Sequence, residues 1–413
     1  MPTAKRDLVV VGGGPAGIST ALHVLAAAPE LARRMIVLEK ARYPRDKYCA
    51  GAIGGRALRL LDRLGVRVDV PRVAIHGVSM RVAGQVLTLR EPDLGVVVRR
   101  VQFDEAFARD AIGRGVDVRE GAAVERVEPG PDGVRVTLAS GESLEARVVV
   151  GADGVAGAVR RAAGFARARL RAQVIEADTE ATDADGERDL IHFDFDDDGF
   201  AGYGWDFPTP LDGQDGEGLV CRGIYRIARS DEVRGADPPR RDEVRQRFAR
   251  HLARRGLDVS RYRLKPFAEQ GFDGGEPLSV PRVLLVGEAA GIDIATGEGI
   301  AQAIQYGALA GPYLARAFAR RDFAFADWFS HVRSETLGWQ LRQRLWFCRR
   351  FYGAGRPVME RLLVGVPAAL RLGMLQFAGK SVGPAALAHA VTQAVPEAAH
   401  LGPGQVLRAL RAP

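Results

Sequence analysis

A short apolar run, Leu8 to Val11, leads directly into Gly12-x-Gly14-x-x-Gly17, within "RDLVVVGGGPAGISTALHVLAA" from Arg6. A continuous β-branched run of this kind predicts a parallel strand buried on both faces. The three glycines have separate tasks. Gly12 allows a tight turn, Gly14 lets backbone approach a pyrophosphate, and Gly17 lets helix and strand pack closely. The helix that follows carries Pro15 and Ala16 in its first turn, and its free N–H groups face an anion. A second strand, "MIVLEK" (35–40), ends at Glu39 and Lys40. An acid roughly 20 residues beyond the third glycine is placed to accept hydrogen bonds from ribose hydroxyls. Strand, turn, helix, strand and acid in register predict a dinucleotide-binding βαβ unit.

The chain of 413 residues is long enough for two domains. Its three cysteines, Cys49, Cys221 and Cys348, have neither metal-ligand spacing nor an even count, which predicts a reducing compartment. "MPTAKRD" runs straight into the first strand and leaves no room for a signal peptide, and no apolar stretch is long enough to cross a bilayer. A cytoplasmic location is expected. The net charge of +7 does not indicate nucleic-acid binding, because the arginines are spread over helical faces. In 240–256, for example, Val244, Phe248 and Leu252 form the buried stripe and the arginines a solvated face.

Two further segments specify the dinucleotide. "VVVGADGVAGAVRRAAG" (148–164) is a strand, a turn at Asp153-Gly154 and a helix start; "VLLVGEAAGIDIATGEGIAQAIQYGALAG" (283–311) is a strand, a glycine-rich turn and a long small-residue helix. Together they resemble the flavoprotein superfamily of aromatic hydroxylases, flavin-dependent halogenases and geranylgeranyl reductases. The resemblance implies FAD as cofactor and covers 6–164 and 280–311. It implies that Asp153 orders the first turn and that "VRRVQFDEAFARDA" (98–111) brings Arg100 near the FAD phosphates. Gly287 to Gly291 are expected to open a helix whose N–H groups stabilise charge at the flavin. Gly297, Gly299 and Ile300 are further expected contacts, with backbone at the two glycines lying against the ring. The chain departs from the superfamily by carrying Glu288 in place of aspartate, and by lacking a proline in the turn that follows. One dinucleotide fingerprint implies that reductant arrives from outside, as NAD(P)H, ferredoxin or another donor.

Between these segments lies "GFAGYGWDFP" (199–208). The preceding stretch, 188–200, alternates as a strand, with Ile191, Phe193 and Phe195 on one face and His192, Asp194 and Asp196 on the other. "GYGWDFP" resembles the tyrosine-x-tryptophan-x-phenylalanine-proline signature of geranylgeranyl reductases, although Phe200 stands where that pattern has a proline. Halogenases place tryptophan first, where this chain has Tyr203. Tyr203 and Trp205 are therefore expected to wall a hydrophobic cavity above the flavin, with the glycines letting rings and substrate come close. "ARYPRDKYCAGAIGGRAL" (41–58) resembles the family's cysteine-glycine-glycine segment, which implies that Cys49 lies near the flavin and helps catalysis. Cys221 and Cys348 match no motif and are read as structural. In 340–371 seven arginines face one acid, and Leu341, Leu345, Cys348 and Tyr352 share a helical face. This stretch admits two readings, a basic helix on the inner membrane face or a helix packed on the substrate domain.

These features predict an α/β fold. A Rossmann-like FAD-binding domain (1–72, 96–170 and 268–315) carries an inserted, mostly antiparallel β-sheet substrate domain (73–95 and 171–267), and a helical C-terminal region follows (316–413). The expected function is reduction of carbon–carbon double bonds in an isoprenoid or other hydrophobic substrate, such as a prenyl lipid. The proton would come from solvent or a nearby acid, with Cys49 and Tyr203 as candidates. The alternatives are a flavin-dependent monooxygenase acting on a hydrophobic or aromatic metabolite, and a flavin-binding scaffold without catalysis. The seven scattered histidines form no metal set.

Overall fold

The computed structural model describes residues 4–155, 157–166, 169–195, 199–210, 218–229 and 238–411. Two sheets organise the chain. The first runs in the order Ser279–Val280, Val283–Leu285, Ser143–Gly151, Ala4–Val11, Met35–Glu39, Val118–Glu120, and its central pairs are parallel. Val9 stands opposite Ile36 on one side and Val149 on the other, and all of Met35–Glu39 is buried. Helices cover these strands, so both faces need apolar side chains. The helices Pro15–Ala27 and Ile300–Arg320 cross where Gly307 and Gly311 meet Ser19 and His23. A Cβ at either glycine would come within 2.4 Å of those side chains, so only glycine permits this approach.

The second sheet runs Lys265–Gln270, Leu170–Glu180, Leu219–Arg229, Gly202–Thr209, Leu190–Asp194, Arg72–Val82, Gln85–Val98, Ala52–Gly54. Every pair is antiparallel except Leu190–Asp194 with Arg72–Val82, as the expectation of a mostly antiparallel insert requires. Helix Pro238–Ala253 covers one face with the buried Val244, Phe248 and Leu252. The other face carries Ile191, Phe195, Tyr203, Trp205 and Phe207, which share one apolar cluster with Cys348, Phe351, Met359 and Met374 from the C-terminal helices. Leu341, Leu345 and Cys348 of helix Thr336–Phe351 are therefore buried against protein, which favours the packed reading of that basic stretch. Among the described residues no helix is long and apolar enough to cross a membrane.

Two expectations need correction. The turn at Gly287–Ala289 is a single 3-10 turn, and the long helix begins only at Ile300. Gly287, at φ +60°, would place a Cβ 2.5 Å from that of Ala16, so it serves close packing on the first helix. The glycines of "GYGWDFP" also do other work. A Cβ at Gly202 would strike the Tyr225 carbonyl at 1.9 Å, and one at Gly204 the His251 ring at 2.7 Å. These glycines face away from the aromatic cluster: Gly202 makes room for the adjacent strand and the Phe200 ring, and Gly204 for His251 of the covering helix. Of the strand expected over 188–200, only Leu190–Asp194 is a strand among the described residues; within it Ile191 and Phe193 join the aromatic cluster, and Asp194 pairs with Arg254 at 2.9 Å. Asp196 lies outside the described residues.

Candidate active site

Two cavities meet between the sheets. The first, of about 490 Å3, is lined by Gly12, Gly14, Pro15, Ala16, Glu39, Lys40, Arg100, Asp153, Glu288, Gly297, Gly299 and Ile300 among others. The predicted βαβ unit, the Asp153 turn and the Gly297 loop thus converge on one space. Gly17 lies behind it, where a Cβ would stand 1.8 Å from the Gly12 carbonyl oxygen. Gly14 faces the space itself, and the nearest atom to a Cβ there is Arg45 Nη2 at 3.6 Å. Helix Pro15–Ala27 begins at Gly14 with no side-chain cap and no acid in its first turn, so its end remains available to an anion.

The charged residues of this cavity are braced. Glu39 accepts from the Gly13 and Ala41 N–H groups at 2.8 and 3.0 Å, and Arg45 lies 3.4 Å from it. Arg100 forms a two-point bond to Asp104 at 2.8 and 2.7 Å. Burial works against the Arg100 charge, but Asp104 outweighs it and raises the guanidinium above its ordinary range. Asp153 caps the following helix by accepting from Val159 N–H at 3.0 Å. Its other oxygen, Oδ1, is buried without a partner, as is Glu288 Oε1. Orphaned acceptors in a polar cavity indicate a hydroxyl-bearing ligand. The second oxygen of Glu288 accepts from Lys47 at 2.7 Å, a pair that the extra methylene over aspartate helps to span. Glycine cradle, open helix end and unpaired acceptors together fit FAD.

The second cavity, of about 340 Å3, is almost wholly apolar. Tyr203 and Trp205 line it with Phe193, Phe207 and Tyr225 from the sheet, and Phe347, Met374 and Phe377 from the C-terminal helices. The helical residues were not legible as site residues in the sequence. Tyr203 and Tyr225 face each other across the strands and stack at 5.0 Å between ring centres. Trp205 stands opposite Gly223, where a Cβ would meet the indole at 2.2 Å. The wall is therefore rigid and built by cross-strand pairs.

Cys49, Glu269, Gly297, Gly299 and Ile300 line both cavities, so a group bound in one meets a group bound in the other there. The N-terminus of helix Ile300–Arg320 opens at this junction, the position expected for Gly287 to Gly291. The loop over the junction is held from several sides. Arg344 bonds Asp293 at 2.5 Å and Glu298 at 2.6 Å; Tyr203 donates to the Thr296 carbonyl at 2.6 Å; Tyr352 donates to the Ala295 carbonyl at 3.2 Å. Cys49 is fixed by its N–H, which donates to Glu176 Oε1 at 2.9 Å. Burial pushes the Cys49 thiol up, partly offset by Arg100. It also pushes Glu176 up to about 7, against the pull of Lys265. Among the described residues no cluster of His, Cys, Asp or Glu could hold a metal ion.

Residues 5–341 match the model of the FAD-binding domain family. This chain belongs to that family. It is an FAD-dependent oxidoreductase, and FAD is its cofactor. It is 26% identical to digeranylgeranylglycerophospholipid reductase 3 of Methanosphaera stadtmanae, over 78% of this chain and 81% of that one. It is 31% identical to rifampicin monooxygenase of Streptomyces venezuelae over only 39% of this chain and 34% of that one. The geranylgeranyl bacteriochlorophyll reductase-like protein of Thermoplasma acidophilum shares the fold, with a TM-score of 0.72 at 19% identity over 97% of this chain and 99% of that one. The resemblance to geranylgeranyl reductases read from the motifs is borne out.

Proposed function

We propose that this oxidoreductase reduces carbon–carbon double bonds of an isoprenoid or similarly hydrophobic substrate, using an external electron donor. The observation that carries the reading is the apolar, aromatic-walled cavity opening onto the FAD cavity through Cys49, Glu269, Gly297, Gly299 and Ile300. Similarity over most of the chain to a digeranylgeranylglycerophospholipid reductase supports it.

Bound and reduced, FAD supplies hydride chemistry. The chain's residues do the rest. Gly12, Gly14, Pro15 and Ala16 would hold the pyrophosphate at the helix end, with Arg100 nearby, while Gly17 and Gly287 allow the close packing behind. Glu39 and Lys40 would receive the adenosine end, and the unpartnered oxygens of Asp153 and Glu288 would accept from ribityl and ribose hydroxyls. Tyr203 and Trp205 position the alkene and exclude water, and Cys49 shapes the junction beside it. Positioning of this kind is worth several kcal/mol, up to about 7–11 in favourable cases.

The alternative, oxygen insertion, is supported by matches to monooxygenases, among them rifampicin monooxygenase, whose match spans little more than a third of either chain. Anaerobic mixing of reduced enzyme with isoprenoid alkenes separates the two. Reduction of the alkene without oxygen supports the proposal, and a strict oxygen requirement overturns it.

A further inference from the structure

Alkene reduction needs a proton as well as a hydride. The two side chains suggested by the sequence are poorly disposed to give it. The Tyr203 hydroxyl is committed to the Thr296 carbonyl at 2.6 Å, and burial raises its pKa well above the ordinary phenol value. Cys49 Sγ accepts from the Gly51 N–H at 3.4 Å, and burial raises that thiol too.

A third group stands at the junction. Glu269 lies on strand Lys265–Gln270 and lines both cavities. Its Oε2 is buried and has no hydrogen-bond partner. It points at Gly297: a Cβ there would lie 3.2 Å from Glu269 Oε2, 3.3 Å from the Tyr203 oxygen and 3.0 Å from the Tyr225 ring. Resting on the reductase reading above, we propose that Glu269 is the acid of this site and delivers the proton that completes alkene reduction.

The step balances. The π bond breaks, and two C–H bonds form. One carbon receives the hydride from reduced FAD, which is oxidised by two electrons. The other receives the carboxyl proton, and the carboxylate left on Glu269 is reprotonated from solvent.

The surroundings keep the carboxyl protonated. Burial, with the nearby Glu288 and Asp293, raises it well above the ordinary carboxylate range against the pull of Lys47. Lys47 is itself paired with Glu288, and Arg100 with Asp104, so each of these cations has another carboxylate as its direct partner. Arg344 is taken by Asp293 and Glu298. Cys49, Tyr203 and Tyr225 face the same space as neutral groups whose pKa values are all raised. An acid near the working pH is the favourable proton donor.

The test uses the full chain and Glu269→Gln. The first readout needs no turnover. Infrared spectra of the FAD-free protein at pH 7 should contain a protonated-carboxyl C=O band that shifts in D2O and is missing from Glu269→Gln. The second is anaerobic oxidation of reduced, FAD-loaded enzyme by geranylgeranyl lipids. The wild-type rate should fall with rising pH, with a midpoint above the ordinary carboxylate pKa. Glu269→Gln, assayed at saturating FAD, should be slower by about 100-fold or more, with a flat pH profile. Absence of the band from the wild type, or a wild-type rate in the variant, overturns the proposal. Wild-type enzyme that leaves every alkene untouched overturns the reductase reading and the proton-transfer role with it. A band present in that case still shows that the carboxyl is protonated, so the two failures are distinguishable.

Discussion

Gly14 and Gly17 belong to one motif, yet the structure assigns them opposite sensitivities. Gly14 sits at φ −78° and ψ −176°, a conformation open to any L-residue. A Cβ there meets only Arg45 Nη2 at an ordinary 3.6 Å and projects toward the FAD cavity. Gly14→Ala should gain about 0.4–1 kcal/mol from a less flexible unfolded chain. It should lose a similar amount by placing alanine at a helix N-cap, where ~1 kcal/mol is typical. Net stability of the FAD-free protein therefore stays within about 0.5 kcal/mol of wild type. FAD loses its close backbone contact. One weakened charge-assisted hydrogen bond, about 1.5–3 kcal/mol, corresponds to roughly a 10- to 100-fold rise in Kd. Gly17→Ala is the contrast. Its Cβ would sit 1.8 Å from the Gly12 carbonyl oxygen, so the helix must leave the strand and stability falls by several kcal/mol, beyond the roughly 1–3 typical of overpacking. Thermal unfolding of FAD-free protein and fluorescence titration with FAD separate these effects. Wild-type FAD affinity in Gly14→Ala, or a stable Gly17→Ala, refutes the reasoning.

Three further perturbations follow from the same geometry. Arg222 is fully buried between Asp185 and Asp206, and Asp206 also takes His251 at 3.0 Å. Asp206→Asn leaves that charge undercompensated and should cost about 3 kcal/mol or more in denaturant unfolding; a loss under 1 kcal/mol would show that the network is dispensable. Burial alone would raise the Asp206 carboxyl, but His251, Arg255 and Arg222 hold it well below the carboxylate range. Its stabilising effect is therefore present near neutrality and vanishes only in strong acid. Glu176 has the opposite sign: held up to about 7 by burial, it favours the fold below the ordinary carboxylate pKa and loses that contribution as pH rises through 7. Melting temperature of the FAD-free protein should fall between pH 5 and pH 8, and Glu176→Gln should flatten the fall; an unchanged slope counts against this assignment. Gly373 lines the apolar cavity from helix Pro367–Ala378 with nothing within 4 Å of its would-be Cβ. Gly373→Leu should stabilise the helix by ~0.8 kcal/mol while raising KM for long-chain substrates, and an unchanged KM would place the substrate elsewhere.

The FAD half of the site was legible because its demands are local. A turn needing glycine, a helix end needing no side chain, and an acid one strand away are written within 6–40. The aromatic wall was legible as a run, but the role of its glycines was not. Gly202 and Gly204 answer to Tyr225 on the neighbouring strand and to His251 on helix Pro238–Ala253, which only the tertiary fold brings there. The junction was the least readable part. Glu269 looks like any acid at a strand end, and Arg344 like one of many surface arginines on an amphipathic helix. Their meaning comes from Gly297, Asp293 and Glu298, which reach them through tertiary packing. The C-terminal helices closed the cavity for the same reason: a basic amphipathic pattern specifies an apolar face but not what covers it.

The central claim is that reduced enzyme transfers its electrons to an alkene. The direct measurement is anaerobic stopped-flow of dithionite-reduced, FAD-loaded protein against geranylgeranyl lipids, with mass spectrometry of the products. Flavin reoxidation without oxygen, giving products heavier by two hydrogens per reduced double bond, is the predicted result. A flavin that stays reduced until oxygen enters, with an oxygen atom then appearing in the product, contradicts the account and assigns the cavity to a monooxygenase.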